Sequence, residues 1–210
     1  MSSVFEAKPQ AGQNLAEMSH KLEFQRKLQS VTNKIHATSN IDEIMLELSQ
    51  DICALFGADR LTIYVMAEDR NAIVSKVKTG LASFKDLKLP INEQSIAGYV
   101  ALTRKIINLK DVYDENELRS YSPQLRFLKE VDRRTGYRTK HMLVGPVMEE
   151  ANGDLIGVVQ LINSKTGQPF SPLMEEGLTH LCETMGIALK QRSRPAAMLR
   201  GKYDALVTDA

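Results

Sequence analysis

Between Asn14 and Ala37 the apolar residues Leu15, Met18 and Leu22, then Phe24, Leu28, Val31 and Ile35, recur every three or four positions among charged residues. That spacing predicts an amphipathic helix with a narrow apolar stripe. A narrow stripe suits a seam with a partner helix, so the segment is expected to face a second copy of the chain. Thr38-Ser39-Asn40 break the pattern, and Ser39 with Asp42 three residues on forms a capping-box arrangement. Behind it Ile41, Ile44, Met45, Leu48, Ile52 and Leu55 repeat with helical period up to Gly57, which predicts a second, core-facing helix. The period then drops to two. Leu61, Ile63 and Val65 alternate with Thr62, Tyr64 and Met66, and Ile73, Ser75 and Val77 with Val74, Lys76 and Lys78. Two strands joined near Asp69-Arg70-Asn71 are expected.

Gly80 to Lys85 reads as loop, Leu87 to Ile91 as a short strand around Pro90, Ser95 to Thr103 as a brief helix capped by Asn92 or Ser95, and Ile106 to Leu109 as another short strand. Asp111 to Tyr137 is charged and aromatic, an ordered excursion in which Pro123 is expected to open a helix through Val131. Met142 to Met148 and Leu155 to Ile162 are valine-rich runs joined by a turn at Asn152-Gly153, hence a central hairpin. After Phe170-Ser171-Pro172 a closing helix carries Leu178, Leu181, Met185 and Ala188 on one stripe and is expected to end at Lys190 to Arg194 and Pro195. Helices at both ends of a mainly antiparallel sheet define an α+β fold. The segments then read as a flexible start over 1–13, a dimerisation helix over 14–37, one domain over 38–192, and a linker with the beginning of a further domain over 193–210.

Composition narrows the function classes. Lysine plus arginine number 27 against 26 aspartates and glutamates, so the summed field offers no footprint for a nucleic-acid polymer. Met1 to Gln13 lacks the basic and apolar regions of a leader, and no stretch approaches the length of a membrane span, so a cytoplasmic protein is expected. Cys53 and Cys182 fall in apolar helical patterns and read as buried thiols. His20, His36, His141 and His180 are scattered, which gives no metal site. Ser95 lacks the Gly-x-Ser-x-Gly setting of a nucleophile and reads as a helix cap. Glu149-Glu150 reads as a solvated hairpin tip, and Arg133, Arg134, Arg138 and Lys140 face either phosphate or surface partners.

Leu89-Pro90-Ile91, Ser95-Ile96-Ala97-Gly98-Tyr99-Val100-Ala101 and Asn108-Leu109-Lys110-Asp111-Val112-Tyr113 resemble the ligand-side half of GAF domains from cyclic-nucleotide phosphodiesterases and adenylyl cyclases. Phe127, Glu130-Val131-Asp132, Thr135-Gly136-Tyr137-Arg138-Thr139-Lys140, Pro146 and Gly157 to Asn163 follow in the same order, so the resemblance runs from about Asn40 to Leu189. It implies a central antiparallel sheet with dimer-forming helices on one face and a small-molecule pocket on the other. It implies ligand contacts from Ser95, Ile96 and Ala97 at a helix start, whose free N–H groups suit a phosphate. Asp132, Thr135, Thr139 and Gln160 stand at positions implied to face base and sugar. The implied homodimer interface draws on Leu22, Leu28, Val31, Ile35, Leu178, Leu181 and Met185.

Three departures from the family pattern stand out. Ser164 and Met174 replace the Lys and Asp of an ion pair implied to brace the pocket, with Lys165 and either Glu175 or Glu176 as candidate substitutes. Gln160 is neutral where some cyclic-nucleotide binders carry Glu. Asp114 to Arg126 is longer than the family norm. Some GAF domains reduce free methionine sulfoxide with pocket thiolates or attach a chromophore through cysteine; Cys53 and Cys182 lie on helices instead, so neither chemistry and no cofactor is expected.

Phe5-Glu6-Ala7-Lys8-Pro9, Leu22-Glu23-Phe24 and Arg200-Gly201-Lys202-Tyr203-Asp204 resemble GAF proteins fused ahead of type II secretion or type IV pilus assembly ATPases. Two function readings follow. One is a non-catalytic sensor that binds a small molecule such as a nucleotide and controls an output domain through dimerising helices. The other is an empty module for oligomerisation and docking on a secretion or pilus motor.

Overall fold

In the computed structural model the described residues are 9–38, 41–79 and 87–207, with side chains described for 14–38, 48–76, 79 and 87–190. The expected capping box at Ser39 and the loop over 80–85 lie outside them, as do residues 1–8 and the side chains of the 200–204 motif. Helices α1 (Pro9–Ala37) and α2 (Ile41–Phe56) lead into strands β1 (Ala58–Met66), β2 (Ala72–Lys78) and β3 (Lys88–Pro90). Helix α3 (Ile96–Thr103), strand β4 (Ile107–Leu109) and helices α4 (Glu115–Tyr121) and α5 (Glu130–Thr135) follow. Strands β5 (Met142–Met148) and β6 (Leu155–Ser164) and helix α6 (Pro172–Val207) complete the order. The six strands form one sheet in the order β3-β2-β1-β6-β5-β4, every described pairing antiparallel. The mainly antiparallel α+β architecture read from the pattern is the one observed.

Both faces of the sheet are covered, and the two-residue period decides which side chain goes where. Leu61 and Ile63 of β1, Leu143 and Val147 of β5 and Val159 and Leu161 of β6 pack under α1, α2 and α6. Tyr64, Met142, Val144, Val158 and Ile162 point the other way, into a second core with α3, Leu109 of β4, and Val112, Leu118 and Leu125 of the 111–137 excursion. Gly177 lets α6 meet α1. A Cβ there would stand 2.5 Å from Phe24 Cζ, whose ring packs edge-on to Phe56 with centroids 5.8 Å apart.

This packing corrects the expected dimer surface. Leu28, Val31 and Ile35 of α1 and Leu178, Leu181 and Met185 of α6 are buried in the chain's own core. The narrow stripe is a seam between α1 and the chain's own α2 and α6. Of the seven residues only Leu22 stays on the surface, 54% exposed, continuing the exposed Leu15 and Met18.

Three further expectations change. The helix expected from Pro123 to Val131 is two short helices flanking an irregular stretch. Asp114 caps α4 by accepting from Asn116 N and Glu117 N, and Pro123 follows that helix instead of opening one. Helix α6 runs through Pro195 to Val207, so it continues past a residue that costs an interior helix one ladder bond and crowds the carbonyl four residues back. Glu149 is drawn out of solvent by an ion pair with Lys190 of α6.

Around the altered brace, Ser164 and Glu175 make other contacts. Ser164 Oγ shares a hydrogen bond with Thr166 Oγ1 at 2.8 Å. Glu175 Oε1 accepts from Asn108 Nδ2 at 2.6 Å, which ties α6 to β4, and Asn108 Nδ2 also donates to Phe170 O at 2.8 Å. Among the described residues no ion pair joins Lys165 to Glu175 or Glu176. Lys165→Ala is therefore expected to leave unfolding free energy within about 0.5 kcal/mol of the parent in urea titrations; a loss above about 1 kcal/mol would restore the brace.

Candidate functional site

Helix α3 is capped by Ser95, whose hydroxyl accepts from Gly98 N at 3.1 Å while its carbonyl takes Tyr99 N. The N–H groups of Ile96 and Ala97 remain without an acceptor among the described residues. Glycine is required at position 98, since a Cβ would sit 2.5 Å from Pro90 O and 2.7 Å from Ser95 Oγ. The helix start thus presses against β3 and presents its free donors to a cavity over the sheet.

That cavity holds about 120 Å³ of space that the centre of a water molecule can reach. Its floor is β1 and β6, where Thr62 and Gln160 are direct cross-strand partners. Both are more than nine-tenths buried, at 6% and 8% exposure, and neither has a hydrogen-bond partner among the described residues. Their polar atoms are not sealed in the core but open onto the cavity, where they can meet the donors and acceptors of a ligand. One wall is α3, through Ser95, Ile96 and Ala97; the opposite wall is Asp132, Tyr137 and Thr139. Phe127 and Leu128 form the rim, with Leu128 44% exposed.

Asp132 organises the far wall. Its Oδ1 accepts from Thr139 Oγ1 at 2.7 Å, and its Oδ2 accepts from Thr139 N at 2.8 Å and Tyr113 OH at 3.0 Å. Tyr113 in turn packs on Phe127, with ring centroids 5.1 Å apart, and carries the Arg138 guanidinium 3.4 Å above its face. Burial, and then donation to Asp132, raise its phenol above the usual tyrosine value. The carboxylate therefore pins the excursion at both ends.

Asn163, at φ +50°, fastens the connecting loop. Its Oδ1 accepts from Lys140 N at 2.7 Å and His141 N at 3.1 Å, while its Nδ2 donates to Arg138 O and Tyr137 OH. Tyr137 OH donates to Asp59 Oδ2 at 2.5 Å, and burial followed by that carboxylate pushes the phenol far up.

Six of the seven residues expected at the ligand site line this one cavity: Ser95, Ile96, Ala97, Asp132, Thr139 and Gln160. Thr135 does not. It ends α5 on the solvent side, its hydroxyl donating to Val131 O at 2.8 Å and accepting Tyr137 N at 3.3 Å. Arg60, Thr62, Tyr64, Tyr137 and Phe127 also line the cavity. The signal for the first three was present in the strand period, because Arg60, Thr62 and Tyr64 share the face opposite Leu61 and Ile63.

The thiols are elsewhere. Cys53 and Cys182 are free and buried in the core beneath the helices, and burial pushes both thiols up, that of Cys182 far more. The rim is positive: residues 126–140 carry six basic side chains against two acidic ones. Arg133 and Arg134 both pair with Glu130, and Arg138 lies 3.6 Å from Asp111. No described helix is long and apolar enough to cross a membrane.

Residues 40–189 match the GAF domain family. The chain belongs to the GAF family. Its GAF domain is similar over 188 residues, at 29% identity, to the dual 3',5'-cyclic-AMP and -GMP phosphodiesterase 11A of Takifugu rubripes, covering 84% of this chain and 19% of that protein. It is also 37% identical over 95 residues to the dual 3',5'-cyclic-AMP and -GMP phosphodiesterase 11 of Drosophila melanogaster, covering 45% of this chain and 6% of that one. The chain thus spans under a fifth of the length of these curated relatives.

Among solved structures the fold matches the GAF domain of a phosphoenolpyruvate-protein phosphotransferase from Coxiella burnetii, with TM-score 0.67 and 16% identity over 84% of this chain and 98% of that one. The free methionine-R-sulfoxide reductase of Neisseria meningitidis, solved with its substrate, gives 0.63 and 12% over 83% and 93%. At these identities the likeness is one of fold. GAF domains are regulatory modules that bind small molecules.

Proposed function

We propose that this GAF domain senses a nucleotide, with a cyclic nucleotide as the leading candidate, in the cavity between α3 and the sheet. The observation that carries the reading is the set of unmet polar groups around one void: the N–H groups of Ile96 and Ala97, the Thr62 hydroxyl and the Gln160 carboxamide. Helix-start donors suit a phosphate, and a hydroxyl and carboxamide suit the edge of a base. The cyclic-nucleotide phosphodiesterases among the relatives support the same class. The void takes roughly ten water-sized atoms, about a purine base, so a whole nucleotide needs the Phe127–Leu128 rim to move outward.

Binding would reach the helices through the sheet itself. Gln160 on the cavity side is flanked by Val159 and Leu161, which carry α2 and α6 on the other. A ligand biases helix arrangement only through its differential affinity for the arrangements. Output to a further domain, and dimerisation through the exposed start of α1, belong to this proposal.

Titration with cAMP, cGMP and cyclic dinucleotides while melting is followed tests it. A ligand at a hundred times its Kd stabilises by about 2.7 kcal/mol, roughly 5–10 °C for a domain of this size. An unchanged melting temperature with every nucleotide would return the second reading, a ligand-free docking module, for which the altered positions Ser164 and Met174 speak.

A further inference from the structure

We propose that His141 makes this domain acid-sensitive: protonating its buried ring loosens the 139–141 segment and the first turn of α6, and with them the link between the cavity wall and the helices. The proposal stands apart from the nucleotide reading, because its trigger is the proton alone.

His141 leads into β5 and is 3% exposed. It stands two residues before Leu143, so strand alternation puts it on the face that α1, α2 and α6 cover. Asn108 of β4 is the direct partner of Leu143 on that face, and its amide holds the start of α6 by donating to Phe170 O and Glu175 Oε1. The backbone of His141 is fixed from β6: Asn163 Oδ1 takes its N–H at 3.1 Å, and its carbonyl takes Asn163 N at 2.9 Å. Thr139, two residues earlier, is bonded to Asp132 in the cavity wall. One imidazole therefore joins the wall of the cavity to the ground on which α6 begins.

That ring is built to stay neutral. Its Nδ1 is sealed from solvent and has no hydrogen-bond partner among the described residues. A neutral imidazole with its proton on Nε2 leaves only a lone pair there, whereas the imidazolium turns Nδ1 into a donor with no acceptor. The surrounding charges give it no counterion. Lys140 precedes it, and Lys110 follows β4 alongside it. Asp111 accepts from Tyr113 N and faces Arg138 at 3.6 Å, and Glu175 of α6 is taken by Asn108. From β6 the neighbour is the neutral Asn163. Burial first, and then Lys140, hold the imidazole below the ordinary histidine value of 6.5, with Asp111 opposing. The unfolded chain takes up a proton that the native fold resists, so stability is full above that ordinary value and is lost as pH falls from it toward the lowered native one.

The test is urea unfolding of the parent and of His141→Gln at pH 7.5 and at pH 5.5, with hydrogen exchange followed at both. His20, His36 and His180 are exposed and common to the two chains, so their difference isolates His141. On acidification the folded-to-unfolded ratio of the parent should fall about threefold to tenfold further than that of the variant, within the limit of one proton. In the parent alone, exchange corrected for its intrinsic pH dependence should rise at residues 139–144 and 172–178 ahead of the rest of the sheet. If His141→Gln does not fold, NMR titration of the ring in the parent takes its place: a midpoint below 6.5 together with that local rise in exchange supports the proposal, and a midpoint at or above 6.5 overturns it. Equal pH dependence in the two chains also overturns it. So does a rise in exchange spread evenly over the domain, which would make His141 a core residue and not a local trigger.

Discussion

Asp132→Ala is expected to destabilise the domain by about 2–4 kcal/mol and to abolish any nucleotide-induced rise in melting temperature. The carboxylate is buried and accepts three hydrogen bonds, two from Thr139 and one from Tyr113. Bonds to a charged acceptor contribute about 1.5–3 kcal/mol each, and deleting the acceptor leaves the Thr139 N–H and hydroxyl orphaned in a closed site. Because contributions within one cluster do not add, the sum is discounted to the range given. The functional loss has a separate cause. Tyr113 and Thr139 lie on either side of α5, so without the carboxylate the excursion is no longer tied to the wall of the cavity. Asp132→Asn keeps the volume but turns a donor toward one of the three donors, so it should fall between the parent and Ala. Urea titration gives the stability and a melting curve with ligand gives the response. A loss under about 1 kcal/mol would mean that the cluster does not hold the excursion.

The same residue shows how far the sequence could be read. The motif order placed Asp132 and Thr139 at one site, and the structure brings them to hydrogen-bonding distance. What the pattern could not supply is that the carboxylate's partners are internal, because hydrogen-bond partners depend on the path of a 27-residue excursion that has no period. Strands β1 and β2 were legible from a two-residue alternation and β5 and β6 as valine-rich runs covered on both faces. Gln160 came to the site through the family resemblance and not from the period, while Thr62 stood in an alternating strand with nothing in the pattern to mark the layer over its face. Thr135 sits three residues from Asp132 and four from Thr139, close in sequence to both, yet the end of α5 turns it outward. Proximity along the chain was no guide where a helix terminus reverses direction. The narrow stripe on α1 misled for a related reason. A seam with a partner helix and a seam with the chain's own α6 have the same three-and-four spacing, and only the fold says which helix lies opposite.

Leu181→Asp is expected to unfold the domain, whereas Leu22→Asp should leave its stability within about 0.5 kcal/mol. Leu181 is fully buried where α6 packs against the sheet. Removing a core leucine costs about 2–5 kcal/mol, and a carboxylate left there without a partner adds several more. Domains of this kind have about 5–15 kcal/mol in hand, so the sum removes most or all of it. A charged substitution at Leu28, also buried in this core, carries the same expectation and therefore says nothing about docking or dimerisation by itself. Leu22 separates the questions. It is more than half exposed on the part of α1 that also exposes Leu15 and Met18, so its replacement leaves the core intact and alters only what that surface can bind. Sedimentation of the Leu22→Asp chain reads the oligomeric state without the confounding loss of fold. A dimer weakened there, with circular dichroism and melting unchanged, places the contact on the first turns of α1. A Leu181→Asp chain that melts like the parent would show that α6 is not seated on this sheet at all.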